Sequence, residues 1–353
     1  MKILHIACVN NDLCSGVDVV VPEHVRAQSR LADVCLLNVT NKRAKGVARQ
    51  YAYGKELRLD GIAPDLAVFH EAYRIEYLGL ARELKRKNIP YIIIPHGELS
   101  REAQKKKRLK KWAANLLLFN RFIENAAALQ MLSQRELEST RHGRIKFVGT
   151  NGISIPERRK ESFNKDKTAF VYIGRLDPYH KGLDLMLDGV KLCADDMRKR
   201  GCTLDIYGPD RNGDGARLVK MINERRLSNI VSLHPAVSGR EKENALLSAD
   251  VFIQTSRFEG MPMGILEALG YGLPCLLSDG TTLASLVDDS DAGWRCRGDA
   301  ESIADAIKRA IAERQSCAAI SDNARALAIE NFSWDTVAAD TLKSYERIIG
   351  EKK

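Results

Sequence analysis

The chain alternates between short apolar runs and longer stretches whose apolar residues recur with helical spacing. Short buried runs joined by amphipathic helices are typical of parallel sheets built from β-α-β units. In the first half the pattern predicts strands at Lys2–Val9, Val34–Asn38, Leu66–His70, Tyr91–Pro95, Ala128–Leu132 and Lys146–Val148. The intervening stretches predict helices at Val21–Arg30, Ile75–Lys87 and Glu102–Asn120.

A second series of the same kind follows Ser154–Lys167, a polar and charged stretch that we interpret as a linker. Its strands are predicted at Ala169–Ile173, Thr203–Tyr207, Ile230–Leu233, Val251–Gln254, Pro274–Leu277 and Gly293–Cys296. Its helices are predicted at Gly182–Arg200, Ala216–Arg226, Arg240–Leu247, Gly264–Gly270 and Ser302–Glu313.

The two series predict an α/β protein with two Rossmann-like, doubly wound domains, over residues 1–153 and 154–332. Ligands in such folds bind beyond the carboxyl ends of the strands, so we expect the site in a cleft between the two domains. The last segment, 333–353, has helical spacing at Trp334–Ile349 and is predicted to pack back on the first domain.

Composition and charge narrow the class of protein. With 353 residues and 44% apolar residues, the chain can form two globular cores. No apolar run reaches the ~18–20 residues that a membrane span needs, and the start lacks the pattern of a signal peptide. The eight cysteines include no Cys-x-x-Cys pair, which favours free thiols in a cytoplasmic protein. A net charge of +9 indicates an anionic partner without identifying it.

The strongest chemical motif is Ser256–Glu267, which leaves a predicted strand, passes through a loop and enters a predicted helix. Backbone N–H groups at a helix start favour phosphate, and Gly260 and Gly264 allow the main chain to approach a ligand. The carboxylates of Glu259 and Glu267 are suitable acceptors for sugar and ribose hydroxyls. An ordinary helix N-terminus with acidic capping is the alternative interpretation of this motif alone.

A second motif, Gly174–Gly182, follows the first strand of the second domain in the same way. Arg175 and Lys181 provide two positive charges at the carboxyl end of that strand, where a diphosphate would lie. Such charges would neutralise a leaving group without a metal ion. Surface salt bridges are the alternative for each residue.

Together, GRLDPYHKG at 174–182 and SRFEGMPMGILEALGYGLP at 256–274 resemble the donor-binding half of the family 4 retaining glycosyltransferases. These enzymes have the GT-B fold, and the spacing of Glu259 and Glu267 matches the family's Glu-x₇-Glu motif. In the first domain, Tyr91–Gly97, which ends in Pro-His-Gly, and Ser133–Glu136 are also similar to the family pattern.

The resemblance implies a role for each matching residue. Arg175 and Lys181 would bind the donor pyrophosphate, Glu259 the hydroxyls of the transferred sugar, and Glu267 the ribose. Gly16 matches a glycine-containing loop after the first strand, where the family usually has two or more glycines and this chain has one. The full expected donor site comprises Gly16, Gly174, Arg175, Lys181, Gly208, Glu259, Gly260, Met261, Pro262, Met263 and Glu267.

Two histidines end predicted strands of the first domain. His96 precedes Gly97, and its Pro-His-Gly context predicts a hydrogen bond to the donor sugar or leaving group. His70, followed by Glu71, is predicted to lie on the acceptor side with His96. A structural role is the alternative for either imidazole. Our expected catalytic set is therefore His96, Glu259, Arg175 and Lys181.

The resemblance also implies transfer with retention of anomeric configuration, through an oxocarbenium-like state. No carboxylate nucleophile is evident, so we favour front-face substitution assisted by the leaving phosphate. We expect no cofactor and no metal ion, because the sequence contains no convincing Asp-x-Asp metal motif. Asp289–Asp291 has that spacing but lies in a polar loop away from the phosphate motifs.

A basic run, Lys105–Lys111, carries six positive charges and precedes apolar residues with helical spacing, including Trp112. A basic amphipathic helix of this kind suits an anionic membrane surface, and a solvated helix face is the alternative. Nucleic acid is not expected, since no basic platform interleaved with aromatic residues is present.

The sequence therefore predicts a metal-independent hexosyltransferase that uses a nucleotide-sugar, by family usage a UDP-sugar. We expect it to act on a glycan or lipid-linked acceptor in bacterial surface polysaccharide synthesis. The predicted location is the cytoplasm, with peripheral contact to the inner face of the membrane left open. A nucleotide-sugar 2-epimerase and a non-catalytic nucleotide-sugar-binding protein are the alternatives.

Overall fold

The computed structural model describes residues 1–12, 15–40, 42–52, 63–100, 118–210 and 213–350. The chain separates into two compact units. Residues 1–152 and 334–353 form the first unit, and residues 153–333 form the second.

The first unit contains a seven-stranded parallel sheet with the strand order β3-β2-β1-β4-β5-β6-β7. Its strands are β1 (Lys2–Ala7), β2 (Asp33–Asn38), β3 (Gln50–Ala52), β4 (Leu66–His70), β5 (Tyr91–Ile94), β6 (Ala128–Met131) and β7 (Lys146–Val148). The central strands are almost wholly buried, as expected for a parallel sheet that is covered on both faces.

Helices of the first unit connect these strands. The described helices of its first 152 residues are α1 (Gly16–Gln28), α2 (Ile75–Arg86), α3 (Asn120–Glu124) and α4 (Gln134–Ser139). Helix α1 begins five residues before the predicted start at Val21, because Ser15 caps it and accepts a hydrogen bond from the Asp18 N–H. Pro22 lies inside the helix. The predicted helix Glu102–Asn120 lies almost entirely outside the described residues.

The second unit contains a six-stranded parallel sheet with the strand order β10-β9-β8-β11-β12-β13. Its strands are β8 (Ala169–Ile173), β9 (Thr203–Tyr207), β10 (Val231–His234), β11 (Val251–Gln254), β12 (Cys275–Ser278) and β13 (Gly293–Cys296). The order of connection reverses between β8 and β11. In an open parallel sheet, ligands bind beyond the carboxyl ends of the strands at such a reversal.

The helices of the second unit include several that the periodicity did not predict. They are α5 (Leu183–Leu192), α6 (Ala194–Lys199), α7 (Asp214–Glu224), α8 (Gly239–Ser248), α9 (Met263–Gly270), α10 (Ala284–Asp289), α11 (Ala300–Ala312) and α12 (Cys317–Phe332). The single helix predicted over Gly182–Arg200 is two helices that meet at Cys193. Helices α10 and α12 were not predicted, and neither were β3, α3 and α4 of the first unit.

The stretch Ser154–Lys167, which we interpreted as a linker, belongs to the second unit and is mostly exposed, but it is anchored at Lys160. Lys160 is buried, and its ammonium group lies 3.3 Å from Asp250 and donates a hydrogen bond to the Leu247 carbonyl. The Lys160 N–H also donates to the Tyr271 carbonyl at 2.8 Å. The polar composition of this stretch therefore reflects a buried ion pair as well as surface residues.

The last helix, α13 (Trp334–Gly350), belongs to the first unit and contacts α1. Its Trp334 indole stacks on the His24 imidazole, and its Tyr345 hydroxyl donates a hydrogen bond of 2.7 Å to Gln130. Among the described helices, none combines the length and the hydrophobicity that crossing a membrane requires.

Candidate functional site

Glycine residues bring the loop after β8 close to its neighbours. A Cβ atom at Gly208 would lie 1.9 Å from the Gly174 carbonyl oxygen, and one at Gly182 would lie 1.9 Å from that of Thr255. Gly182 also has a left-handed backbone, with φ of +63°. No other residue type fits these positions without displacing the backbone. The loop Gly174–Gly182 is therefore fixed against the strand ends on both of its sides.

The two sequence motifs meet in an ion pair between Lys181 and Glu259. Lys181 is only 9% exposed, and Glu259 is half-buried and also accepts a hydrogen bond from the Ser256 hydroxyl at 3.4 Å. Because Lys181 follows β8 and Glu259 follows β11, this pair lies at the reversal of the sheet. A positive and a negative group are thus held side by side where the fold is expected to bind a ligand.

His180 connects Arg175 to the second motif, and the sequence analysis did not identify it. Its ring stacks on Phe258 at 4.3 Å between centroids, and Nε2 donates a hydrogen bond of 2.9 Å to the Phe258 carbonyl. With Nε2 protonated, Nδ1 is the acceptor that faces the Arg175 guanidinium at 3.4 Å. Burial lowers the pKa of His180, which favours this neutral form. The only sequence signal was its place next to Lys181.

The loop after β11 leads into helix α9. The Glu259 N–H donates to the Gly280 carbonyl at 2.9 Å, and the Thr282 hydroxyl donates to the Gly260 carbonyl. Pro262 is the N-cap residue of α9, and Met261 and Met263 are partly buried against the core of the unit. The backbone N–H groups of the first turn of α9 are the donors that a phosphate would need.

Close packing sets the position of α9. A Cβ atom at Gly264 would lie 3.1 Å from the Ile173 carbonyl oxygen, so the helix begins against the end of β8. Nearby, Arg257 forms a two-pronged ion pair with Asp184, with N–O distances of 2.6 and 2.8 Å. The Arg257 guanidinium also lies 4.4 Å from the centre of the Tyr179 ring. These contacts fix the loop before α9 to the start of α5.

The second carboxylate, Glu267, forms an ion pair with Lys242 of α8. Both side chains are partly exposed, at 32% and 28%. The sequence analysis did not select Lys242, because a lysine in a polar helix carries no local signal. The two glutamates of the Glu-x₇-Glu motif therefore each have their own lysine partner.

The expected donor-site residues of the second unit all follow β8, β9 or β11, at the carboxyl edge of the sheet. They are Gly174, Arg175, Lys181, Gly208, Glu259, Gly260, Met261, Pro262, Met263 and Glu267. Arg175 is exposed. The remaining expected residues, Gly16, His70 and His96, belong to the first unit.

Gly16 is the exposed first residue of α1, and Asp18 holds the preceding loop. The Asp18 carboxylate accepts hydrogen bonds from the N–H groups of Asn10 and Asp12, at 2.9 and 3.0 Å. No neighbouring atom lies within 4 Å of a Cβ built on Gly16. Packing within the described residues therefore does not require glycine at this position.

Glu136 positions His96. The Glu136 carboxylate accepts hydrogen bonds of 2.8 Å from the N–H groups of Gly97 and Leu132, and Ser133 caps α4. Burial raises the pKa of Glu136, whereas its backbone hydrogen bonds lower it. His96 has a left-handed backbone with φ of 49°, and burial lowers the pKa of its imidazole to about 4. The Glu136 carboxylate thus holds the Pro-His-Gly turn in place.

His70 does not line a surface, which corrects the expectation that it contacts an acceptor. Its side chain is fully buried. Its Nδ1 lies 3.0 Å from His96 Nε2, and its Nε2 lies 2.9 Å from His5 Nδ1. Both ring nitrogens are therefore used inside the protein, and His70 can affect a ligand only through His96.

A group of three buried histidines, His5, His24 and His70, brings ring nitrogens within 4.8 Å of one another. Neutral imidazoles at such distances can hold a metal ion. Here, however, both ring nitrogens of His5 and of His70 have hydrogen-bond partners. The basic run Lys105–Lys111 lies outside the described residues.

Comparison with known proteins places this geometry in context. Residues 154–327 match the family model described as Glycosyl transferases group 1. The MMP alpha-(1->4)-mannosyltransferase of Mycolicibacterium hassiacum is 31% identical over 132 residues, which are 37% of this chain and 32% of that protein. The lipopolysaccharide 1,6-galactosyltransferase of Escherichia coli is 25% identical over 224 residues, 61% of this chain and 56% of that protein. The chain thus spans about a third to about half the length of these relatives.

Solved structures resemble the whole chain. HepE of Anabaena, in complex with UDP and glucose, superposes with a TM-score of 0.72 at 17% identity, over 98% of this chain and 100% of that one. The apo lipopolysaccharide outer core galactosyltransferase WaaB gives 0.71 at 16% identity over 100% of both chains. At such identities the likeness concerns the fold alone. It confirms the predicted GT-B fold class.

Proposed function

We propose that this chain, which belongs to the glycosyl transferases group 1 family, transfers a sugar from a nucleotide diphosphate donor to an acceptor with retention of anomeric configuration. The observation that carries the proposal is the meeting of Lys181 and Glu259 at the reversal of the second sheet. A cation for the diphosphate and a carboxylate for sugar hydroxyls are there held together by two different loops.

The residues around this pair complete a donor site. Lys181 and Arg175 neutralise the pyrophosphate, and the first turn of α9 donates backbone hydrogen bonds to it. Glu259 accepts from hydroxyls of the transferred sugar, while Glu267 accepts from the ribose. Lys242, paired with Glu267, orients that second carboxylate.

The chemistry that we propose is a front-face substitution. Charge develops on the leaving diphosphate as the glycosidic bond breaks, and Lys181 and Arg175 stabilise it without a metal ion. The oxygen of the acceptor hydroxyl forms the new bond to the anomeric carbon on the same face, and the departing phosphate oxygen accepts its proton. The proposed role of His96 is a hydrogen bond to the donor sugar, as the family resemblance implies.

The donor is inferred to be a UDP-sugar and the acceptor a glycan or a lipid-linked glycan of the bacterial surface. HepE was solved with UDP and glucose, and two similar proteins are named as lipopolysaccharide galactosyltransferases, which supports both inferences. Seven of the eight cysteines lie in the described residues and are free thiols, which supports a cytoplasmic location. The basic run Lys105–Lys111 would then bring the enzyme to an anionic membrane surface.

Calorimetric titration of the full chain without metal tests this function. UDP, GDP, ADP and their common sugar conjugates are titrated in turn, and we expect selective binding of UDP and a UDP-sugar that is lost in Glu267→Ala. Incubation of the selected donor with a mixture of acceptors then distinguishes a transferase from a 2-epimerase and from a non-catalytic binding protein. Transfer to the acceptor supports the enzyme, whereas a donor converted to its C2 epimer, or bound without any reaction, refutes it.

A further inference from the structure

A chain of hydrogen bonds leads from His96 into the core of the first unit. His96 Nε2 lies 3.0 Å from His70 Nδ1, and His70 Nε2 lies 2.9 Å from His5 Nδ1. His5 Nε2 then lies 2.8 Å from Gln28 Oε1. Gln28 Nε2 lies 2.9 Å from His24 Nε2. Strands β1, β4 and β5 are adjacent in the sheet, which brings the three linked imidazoles together.

Each neutral imidazole in this chain donates one hydrogen bond and accepts one. The direction of one bond therefore fixes the direction of the next. The series of hydrogen bonds can run in either of two directions, which differ in the nitrogen of His96 that carries the proton. The orientation of the Gln28 amide selects between them.

A backbone carbonyl sets the orientation of a second buried amide, that of Gln130. The Gly149 carbonyl can only accept, so the hydrogen bond of 2.9 Å to it comes from the Gln130 amide nitrogen. The Gln130 oxygen then faces Tyr345, whose hydroxyl donates to it at 2.7 Å. A hydrogen bond from Gln28 lowers the pKa of Tyr345, which agrees with a Gln28 amide nitrogen that faces the hydroxyl oxygen.

The remaining donors and acceptors follow, because each neutral ring donates one hydrogen bond and accepts one. The Gln28 amide nitrogen faces His24 Nε2 and donates to it, so the Gln28 oxygen accepts from His5 Nε2. His5 Nδ1 then accepts from His70 Nε2, and His70 Nδ1 accepts from His96 Nε2. His96 is left with a proton on Nε2 and a lone pair on Nδ1.

We propose that Gln28, His5 and His70 are positioning residues that hold His96 as the Nε2–H tautomer, so that its Nδ1 accepts a hydrogen bond from a sugar hydroxyl. The sugar as ligand rests on the proposed function, whereas the tautomer does not. In this form His96 orients the donor as an acceptor of hydrogen bonds. It does not protonate the leaving group.

The burial of the hydrogen-bonded side chains agrees with this role. His5, Gln28 and His70 are fully buried, and His24 is 3% exposed. Burial lowers the pKa of His5 and of His96 to about 4, so both rings are neutral at physiological pH. An imidazolium donates from both nitrogens, so a charged ring could not accept the hydrogen bond that its neighbour donates. The low-dielectric surroundings strengthen each bond and make a reversed orientation costly.

The tautomer can be measured without any ligand. The full chain is labelled with ¹⁵N-histidine, and long-range ¹H–¹⁵N correlation at pH 7.5 identifies the protonated nitrogen of each imidazole. Gln28→Leu and Tyr345→Phe interrupt the chain at two points remote from His96. Tyr91→Phe is the matched control, because Tyr91 is equally a buried tyrosine of this unit and donates to the Phe122 carbonyl outside the chain.

We expect His96 to carry its proton on Nε2 in the native chain and in Tyr91→Phe. In Gln28→Leu and Tyr345→Phe we expect a mixture of tautomers, with the fold retained by circular dichroism. A proton on Nδ1 of His96 in the native chain, or an unchanged tautomer in both interrupted variants, overturns the proposal. So does a stoichiometric metal ion bound by His5, His24 and His70.

The link to the sugar is tested by titrating UDP-glucose into the same labelled protein. A shift of the His96 Nδ1 resonance at saturating donor, several times larger than with UDP alone, supports the inference. Binding of UDP-glucose that leaves Nδ1 unmoved overturns it. A correct tautomer in a protein that transfers no sugar would refute the proposed function while supporting the positioning chain.

Discussion

Lys181 and Glu259 form an ion pair although 78 residues separate them in the sequence. Lys181 ends the loop after β8 and Glu259 lies in the loop after β11, and these strands are neighbours at the reversal of the second sheet. The donor site that we propose is organised around this pair, and several predictions depend on it.

The first prediction concerns the cations. Lys181→Ala and Arg175→Ala should each lower kcat/KM for transfer about a hundredfold, because a fixed charge on the leaving diphosphate is lost. The measurement is a steady-state transfer assay, with melting temperatures recorded for each variant. Lys220→Ala removes an exposed lysine of the same unit and should leave the rate unchanged. Full activity in both site variants would remove our assignment of the phosphate site.

The second prediction concerns Lys242, which only the structure identified. Lys242→Ala should weaken donor binding about tenfold, because Glu267 loses the group that orients it. The same substitution in a Glu267→Ala background should cost much less, since the two residues then act as one unit. Calorimetric titration of UDP gives both values. Arg240→Ala on the same helix is the control. Equal effects of Lys242→Ala in both backgrounds would show that Lys242 does not act through Glu267.

The third prediction concerns the buried pair of Lys160 and Asp250. Lys160→Met should destabilise the chain by about 3 kcal/mol, because it leaves a buried carboxylate without its counter-charge. Urea unfolding measures the free energy. Arg158→Met breaks a more exposed ion pair of the same stretch, with Glu243, and should change stability by only about 0.5 kcal/mol. Similar values for the two variants would contradict the anchoring of this stretch by Lys160.

The fourth prediction is a pH dependence of stability. Burial lowers the pKa of His5 and His96 to about 4, whereas imidazoles of the unfolded chain protonate near pH 6.5. Between these values the unfolded chain binds more protons, so the free energy of unfolding falls as the pH falls from about 6.5 towards 4. Each such imidazole adds a slope of at most about 1.4 kcal/mol per pH unit.

Urea unfolding at a series of pH values measures this slope. His24→Phe should reduce it, because burial also lowers the pKa of His24 well below its usual value. Tyr91→Phe destabilises the same unit without removing an imidazole and should leave the slope unchanged. A native chain whose stability does not vary across this pH range would contradict the buried neutral histidines.

The fifth prediction concerns the basic run. Replacing Lys105, Lys106 and Lys107 together by glutamine should weaken binding to vesicles with anionic lipid, by roughly 1 kcal/mol for each charge near the surface. Vesicle co-sedimentation at low salt measures the binding. Glutamine at Lys220, Lys308 and Lys343 makes the same change in net charge at exposed positions elsewhere. Equal binding of both triple variants would contradict a membrane role for the run.

The sequence by itself determined the fold class and the elements that carry the donor motifs. Buried parallel strands are continuous apolar runs, as in β4, β8 and β11, which were predicted with their observed bounds. The bounds of β7, β9 and β13 were also predicted, although each of these strands contains a polar or charged residue. Short elements without such a run were missed. β3 has three residues and an exposed tyrosine at its centre, and α4 has only six residues, which begin after the N-cap residue Ser133.

Only the tertiary structure decided which residues act together. Lys242 pairs with Glu267, and Gln28 connects to the chain of histidines, yet each lies on a helix whose periodicity gives no sign of a partner. His70 was expected at a surface because it ends a strand, but neighbouring strands bury it completely. Spacing along a sequence specifies a local element, whereas burial and hydrogen-bond partners depend on which elements the fold brings side by side.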